Sequence, residues 1–314
     1  MRIIRDYTYV TEADRGASVA IGNFDGVHIG HLSVIDQARA AGARSGAPLG
    51  ILTFEPHPRE FFRHDDVPFC LADRIEKDRL LAAAGVDRVI HVTFDDNLRC
   101  TDAAAFVTNI LPAIGVTGLF AGSDFAFGRS RGGDIDTINA MGADIGITAA
   151  AVPLLSDENS AVISSSRIRA ALQAGEVGQA GTMLGHDWAV TGIVKLGDQR
   201  GRTIGFPTLN LHLGSTVRPA LGVYAVRVGI LEGGETVWHD GVANIGKRPT
   251  FGGEDVILEA HLMDFSGDLY GKLIAVTLID FIRAEKKFDG LEALRAQIAA
   301  DTRIAQNILV DAPA

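Results

Sequence analysis

Cysteine, net positive charge and unbroken apolar runs are scarce in this chain, and each scarcity removes a class of protein. Its two cysteines, Cys70 and Cys100, share no CxxC spacing, so neither a disulfide framework nor a zinc site is indicated and a reducing compartment is expected. Lys and Arg number 29 against 39 Asp and Glu, a formal charge of −10. Such a surface draws no polyanion, which argues against nucleic-acid binding, although arginines and helix N-termini can still build a local anion pocket. The opening "MRIIRDYTYV" has no apolar signal core, so a cytoplasmic location is expected. Residues 103–123 carry no charge, but Pro112, Gly115, Gly118 and Gly122 interrupt them. A helix to about Leu111 followed by a buried strand "GLFAG" explains that stretch better than a membrane span.

What is present suits two globular domains. The chain has 314 residues, 47% of them hydrophobic, more than one core ordinarily organises. Through the first half, apolar runs alternate with helical patterns: "SVAIGNF", a helix from His31 to about Arg44, "LGILTF", "RIEKDRLLAAAG", "RVIHVTF", a helix near 102–111, "GLFAG" and "ITAAAV". This alternation predicts a parallel sheet wrapped by helices, with ligands bound beyond the carboxyl ends of its strands. After "SRIRAALQAG" and "VGQAGTMLG", strand-like runs follow one another without helices, from "AVTGIVK" to "KLIAVTLIDFI". They predict a small antiparallel barrel or sandwich, closed by a helix with Leu291, Leu294, Ile298, Ala305 and Ile308 on one stripe. The boundary is expected between about residues 180 and 188, giving domains 1–184 and 185–314.

Four groupings carry chemistry. In "AIGNFDGVHIGH" (residues 20–31), Gly22 and Gly26 permit a tight strand-to-helix turn, and His28 and His31 share one face at a helix start. The pair suits an anion cradle, a metal site lacking a third ligand, or two packed core histidines. Ser164, Ser165 and Ser166 precede a helical run with Arg169 one step further on, either a phosphate-binding helix start or an N-cap followed by a surface arginine. Thr208 and Asn210 alternate on one strand face, a pair for a hard cation holding ATP phosphates or simply two solvated polar residues. Within "VILEAHLMDF", alternation places Glu259 with Ile257 and His261, opposite Val256, Leu258, Ala260 and Leu262.

The decamer "GNFDGVHIGH" resembles the long form of the HxGH nucleotidyltransferase signature and is similar to that of the prokaryotic bifunctional riboflavin kinase/FMN adenylyltransferase (FAD synthetase) family. Family-like segments follow in order: "FEPHPREFF", "EKDRLL", "AGSDFAFGRSRGGD", "ISSSRIRAAL", "GDQRGRTIGFPTLNLHL", "GVANIGKRPTFGG" and "LEAHLMDF". Three departures are visible. A serine replaces threonine in the ISSTxIR pattern, Leu209 replaces the alanine of PTAN, and Leu196 stands where HGD is usual.

The resemblance implies a Rossmann-like nucleotidyltransferase domain with a parallel sheet, then an antiparallel β-barrel riboflavin kinase domain ending in a helix. It implies ATP as co-substrate, Mg²⁺ as cofactor, and riboflavin, FMN and ATP as partners, without nucleic acid or membrane and with room for weak self-association. His28, His31 and Glu259 become catalytic, Glu259 as base. Gly22, Asn23, Phe24, Asp25, Gly26, Ser164, Ser165, Ser166, Arg169, Gly201 and Arg202 become ATP- and phosphate-binding. Asp124 and Phe125 become flavin-binding, and Thr208 and Asn210 hold the metal. The rivals are an adenylyltransferase acting on another phosphorylated metabolite, and a flavin-binding regulator without turnover.

Overall fold

The computed structural model describes residues 1–63, 68–195, 205–232, 236–250 and 253–312. The chain divides into two compact units, one comprising Met1–Asp66 and Lys77–Ser164, the other Val67–Glu76 and Ser165–Ala314.

The first unit is a six-stranded sheet of β1 (Arg2–Ile4), β2 (Ser18–Ile21), β3 (Leu49–Glu55), β4 (Arg88–Thr93), β5 (Gly118–Gly122) and β6 (Thr148–Val152), in spatial order β1-β4-β3-β2-β5-β6. Every pairing is parallel. The strands are apolar on both faces because helices cover both: Val19 and Ile21 enter one buried cluster, Ala20 and Ile51 the other. Each large aliphatic side chain so buried contributes about 1.5–3 kcal/mol. From β2 the chain winds outward through β3 to β4, then returns to place β5 on the other side of β2. That reversal opens a crevice at the carboxyl ends of β2 and β5, the position where such sheets take ligands.

The helix expected near 102–111 is less regular than its pattern suggests. A short helical turn, Ala103–Ala105, passes into a π turn, Phe106–Ile110, and a last helical segment, Leu111–Ile114. Pro112 has no N–H for the ladder, and Gly115, at φ 76°, stops it. Among the described residues no helix is long and apolar enough to cross a membrane.

The second unit is a near-closed barrel of β7 (Ala189–Ile193), β8 (Leu209–His212), β9 (Gly222–Ile230), β10 (Val237–Thr250), β11 (Gly253–Leu262) and β12 (Leu273–Ala284), ordered β7-β12-β9-β10-β11-β8. Its pairings are antiparallel, and Lys195 N–H donates to Asn210 O at 3.1 Å to join the two edges. Helices Ser165–Ala174, Val177–Leu184 and Leu291–Asp311 complete it. The last helix buries Asp301, Ala305 and Leu309, while Leu291 is exposed. Leu294, Ile298 and Ile308 of the expected stripe are part-buried and Ala305 is buried, and the Arg283 guanidinium grips the buried Asp301 carboxylate beside them through Nε and Nη2.

Residues 68–76 are built into this second unit. The buried Trp188 indole donates to Leu71 O at 2.6 Å, the Thr191 hydroxyl contacts the Asp73 carboxylate at 2.8 Å, and Val217 N–H donates to Cys70 O at 2.8 Å.

Candidate active sites

At the end of β2 the chain turns through residues 22–27 in a conformation few sequences tolerate. Phe24 and Val27 have φ of 48° and 43°, and Gly26 has φ of 78°. Left-handed backbone at non-glycine residues costs about 1–3 kcal/mol each and persists only where surroundings enforce it. Here both side chains are buried in the core, Gly22 N–H donates to Leu52 O at 3.1 Å, and the buried Thr53 hydroxyl holds Asn23 O at 3.1 Å. Asp25 is buried as well. Thr53, a β3 residue, escapes sequence reasoning because only strand register brings it to the loop.

His28 is the N-cap of helix Ile29–Ser45, its Nδ1 accepting from His31 N–H at 3.3 Å. A neutral imidazole accepting at Nδ1 carries its proton on Nε2. The His28 and His31 rings stack with centroids 3.6 Å apart. Gly30 permits this, since a Cβ there would lie 3.1 Å from His28 Cε1 and Nδ1 and 3.6 Å from Ile163 O. Ser164, the first of the three serines, follows Ile163 within the same unit. His31 Nδ1 is buried without a hydrogen-bond partner. Burial, then the charges of His28 and Lys77, hold the His31 pKa well below its usual value. His31 is thus a neutral imidazole, stacked on His28 at a helix N-terminus. Among the described residues no group of three His, Cys, Asp or Glu could hold a metal, so the rings suit hydrogen bonding to an anion better than ligation.

The buried positive charge near this site belongs to Lys77, whose Nζ lies 3.3 Å from Glu55 Oε2 at the end of β3. Burial, with the Glu55 charge next, raises the Glu60 pKa.

The depressed His31 pKa has a measurable sign. At His31 the folded protein binds fewer protons than the unfolded chain below about pH 6.5. The His31 contribution is therefore complete above that pH and is lost as pH falls toward the depressed folded value. Between pH 7.5 and 5.5 the melting temperature of the native protein should fall more than that of His31→Gln; equal slopes in calorimetry would refute this origin.

The other first-site candidates are spread along the same carboxyl edge or the following helix. Asp124 is exposed after β5, and Phe125 packs against the core and stacks on Phe127 at 5.8 Å. Ser165 and Ser166 open helix Ser165–Ala174 in the second unit. Arg169 Nε donates to Phe69 O at 2.6 Å, with the guanidinium over the Phe69 ring. An aromatic group unnoticed in the sequence, Phe61, Phe62 and Phe94, meets edge to face at the ends of β3 and β4, with Phe62 58% exposed.

In the second unit, β8 pairs with β11 so that Asn210 stands opposite Glu259, and β10 places Asn244 on its other side. Leu258, Ala260 and Leu262 are buried on one face, while Glu259 and His261 are only part-buried on the other. Arg248 Nη2 donates to Glu259 Oε1. Asn210 is buried, and its Oδ1 has no hydrogen-bond partner. An orphaned acceptor is costly unless something fills it, and a neutral amide oxygen two residues from the Thr208 hydroxyl is a donor set suited to a hard cation whose remaining ligands are phosphate oxygens. Thr208 also lines an open cleft with Pro207, Leu262, Phe265, Leu269 and Tyr270. Leu196, Gly201 and Arg202 lie outside the described residues.

Comparison with known proteins agrees with this division. The FAD synthetase family model matches residues 10–167 and the riboflavin kinase family model residues 184–309. A bifunctional riboflavin kinase/FMN adenylyltransferase of Escherichia coli (strain K12) is 40% identical over 308 residues, covering 98% of this chain and 97% of its own. That of Bacillus subtilis (strain 168) is 34% identical over 311 residues, covering 97% and 96%. A crystal structure from Streptococcus pneumoniae, described as a macrolide-efflux protein, superposes with a TM-score of 0.83 at 31% identity, covering 97% of this chain and 98% of that one. With both domain models matched in order and relatives similar over nearly the full length, the chain belongs to the bifunctional riboflavin kinase/FMN adenylyltransferase family.

Proposed function

We propose that the protein makes FAD from riboflavin in two ATP-consuming steps, phosphorylation in the C-terminal domain (185–314) followed by adenylyl transfer in the N-terminal domain (1–184). The observation that carries the reading is the contrast between the two sites. One gathers two imidazoles and a helix N-terminus; the other sets a carboxylate across a strand pair from an orphaned amide oxygen.

The contrast matches two kinds of attacking group. Riboflavin presents an alcohol, which must lose its proton as its oxygen bonds to the γ-phosphorus of ATP and ADP leaves. Glu259 takes that proton. Thr208 and Asn210 would hold Mg²⁺, which when bound neutralises phosphate charge. The aromatic-edged cleft beside Thr208 suits the adenine ring, and Gly201 and Arg202 are assigned to its phosphates. FMN instead attacks through a phosphate already ionised at neutral pH, so no base is needed. Its oxygen bonds to the α-phosphorus of a second ATP, and pyrophosphate departs. His28 and His31 donate to the oxygens that gain charge, with Gly22–Gly26 and the serines Ser164, Ser165 and Ser166 shaping the cradle. Asp124, Phe125 and the Phe61–Phe62–Phe94 edge are assigned to the flavin, and Arg169 to phosphate. Cytoplasmic action and weak self-association complete the proposal.

The test is incubation with riboflavin, ATP and Mg²⁺ and chromatographic separation of the flavins. FMN followed by FAD is expected. FMN alone would remove the first-site assignment, and absence of product would favour a flavin-binding regulator.

A further inference from the structure

The Glu259 carboxylate, assigned above as the base, is already engaged. Arg248 Nη2 donates to its Oε1 from the neighbouring strand β10, with the Arg248 and Glu259 side chains 34% and 26% exposed. Register explains how they meet. Asn244 stands opposite Glu259 and Arg248 opposite Asp255, so Asn244, Gly246 and Arg248 share one face of β10 with Glu259 of β11. Gly246 leaves that face open between them, and the space is taken by Glu285, since a Cβ on Gly246 would collide with Glu285 Oε1. Asp255 is occupied separately by His212 Nδ1 at 2.7 Å. One guanidinium thus sits among carboxylates in the half-buried rim of the site.

This arrangement conflicts with catalysis as it stands. A guanidinium on a carboxylate lowers its basicity, and here it holds one of the two oxygens that could take the alcohol proton. The conflict resolves if the nucleotide draws Arg248 away. Asn210 lies directly across β8–β11 from Glu259, and side chains so paired are about 5 Å apart at Cβ. A triphosphate held at Asn210 and Thr208 therefore arrives beside Glu259, within reach of a long arginine side chain and with more negative charge than one carboxylate. We propose that Arg248 is a positioning residue that exchanges partners, holding Glu259 in the nucleotide-free enzyme and passing to the ATP phosphates when they arrive, so that the base is released only with nucleotide in place. The inference rests on the base assignment of Glu259, and its test separates the two.

The exchange couples Arg248 and Glu259 in nucleotide affinity, which a static ion pair does not do. The full-length protein, Glu259→Gln, Arg248→Met and the double variant are titrated calorimetrically with the β,γ-imido analogue of ATP in Mg²⁺. The adenylyl-transfer site is the same in all four and serves as internal reference. Arg248→Met should weaken the kinase-site affinity about tenfold. Glu259→Gln should tighten it about tenfold when Arg248 is present, because the ion pair with Glu259 no longer has to be given up, and by less than about threefold when it is absent. Equal tightening in both backgrounds would reduce the effect to charge repulsion and overturn the exchange, as would no tightening in either. Arg248→Lys, which keeps the charge on the strand, guards against misfolding of the Met variant: retained coupling there supports the exchange, and coupling lost with an unchanged melting temperature opposes it. FMN formation by Glu259→Gln reads the base assignment independently, since normal turnover would remove the base and leave the affinity cycle intact.

Discussion

Glu259→Gln is expected to slow FMN formation by about 10²–10⁴-fold, the range that a positioned general base supplies. The substitution preserves shape and hydrogen-bonding reach while removing the ability to accept a proton at neutral pH. Glu259 is only part-buried, and its strand is held by Leu258 and Ala260, both fully buried. The fold should therefore survive, and riboflavin affinity should stay close to that of the native protein. FAD formation from added FMN is the built-in control, because that reaction needs no proton acceptor. Steady-state assay of both half-reactions in one preparation decides the matter: loss of both would indicate a damaged protein, and retention of FMN formation would assign the base elsewhere.

His28→Ala should have the reciprocal effect, lowering FAD formation from FMN by about 10²–10³-fold, the loss typical when one donor to developing charge is removed, and leaving FMN formation from riboflavin unaltered. Because His28 Nδ1 also caps helix Ile29–Ser45, alanine carries a structural cost of about 1 kcal/mol. His28→Asn separates the two contributions, since asparagine caps well yet cannot reproduce the Nε2 donor. A variant that regains the native melting temperature without regaining FAD synthesis supports phosphate handling; recovery of both would make His28 a cap and nothing more.

Much of this molecule can be read along the chain. "GLFAG" is strand β5 at residues 118–122, and the barrel strands fall where glycine-punctuated apolar runs stand. Such patterns are visible because burial on one or two faces imposes a period. The three-residue β1 is too short to show one, and its identity as a strand comes from pairing with β4. Partners distant in sequence were also invisible. Nothing in "TFEP" and "EKDR" says that Lys77 meets Glu55, and nothing in "GKRPT" says that Arg248 meets Glu259. Both pairs depend on strand order or register, which a linear pattern does not encode. The His28 and His31 spacing announced a shared helix face, but the stacked rings and the role of Nδ1 as cap required coordinates.

The short run from Leu71 to Asp73 has a practical consequence for dissecting the enzyme. A fragment that starts at residue 77 or later forfeits the carbonyl that receives the Trp188 indole and the carboxylate that receives the Thr191 hydroxyl. Excised kinase halves would thus begin life with two interior donors stranded, so expressing the catalytic modules apart calls for grafting residues 68–76 onto the barrel or rebuilding the Trp188 pocket in hydrocarbon.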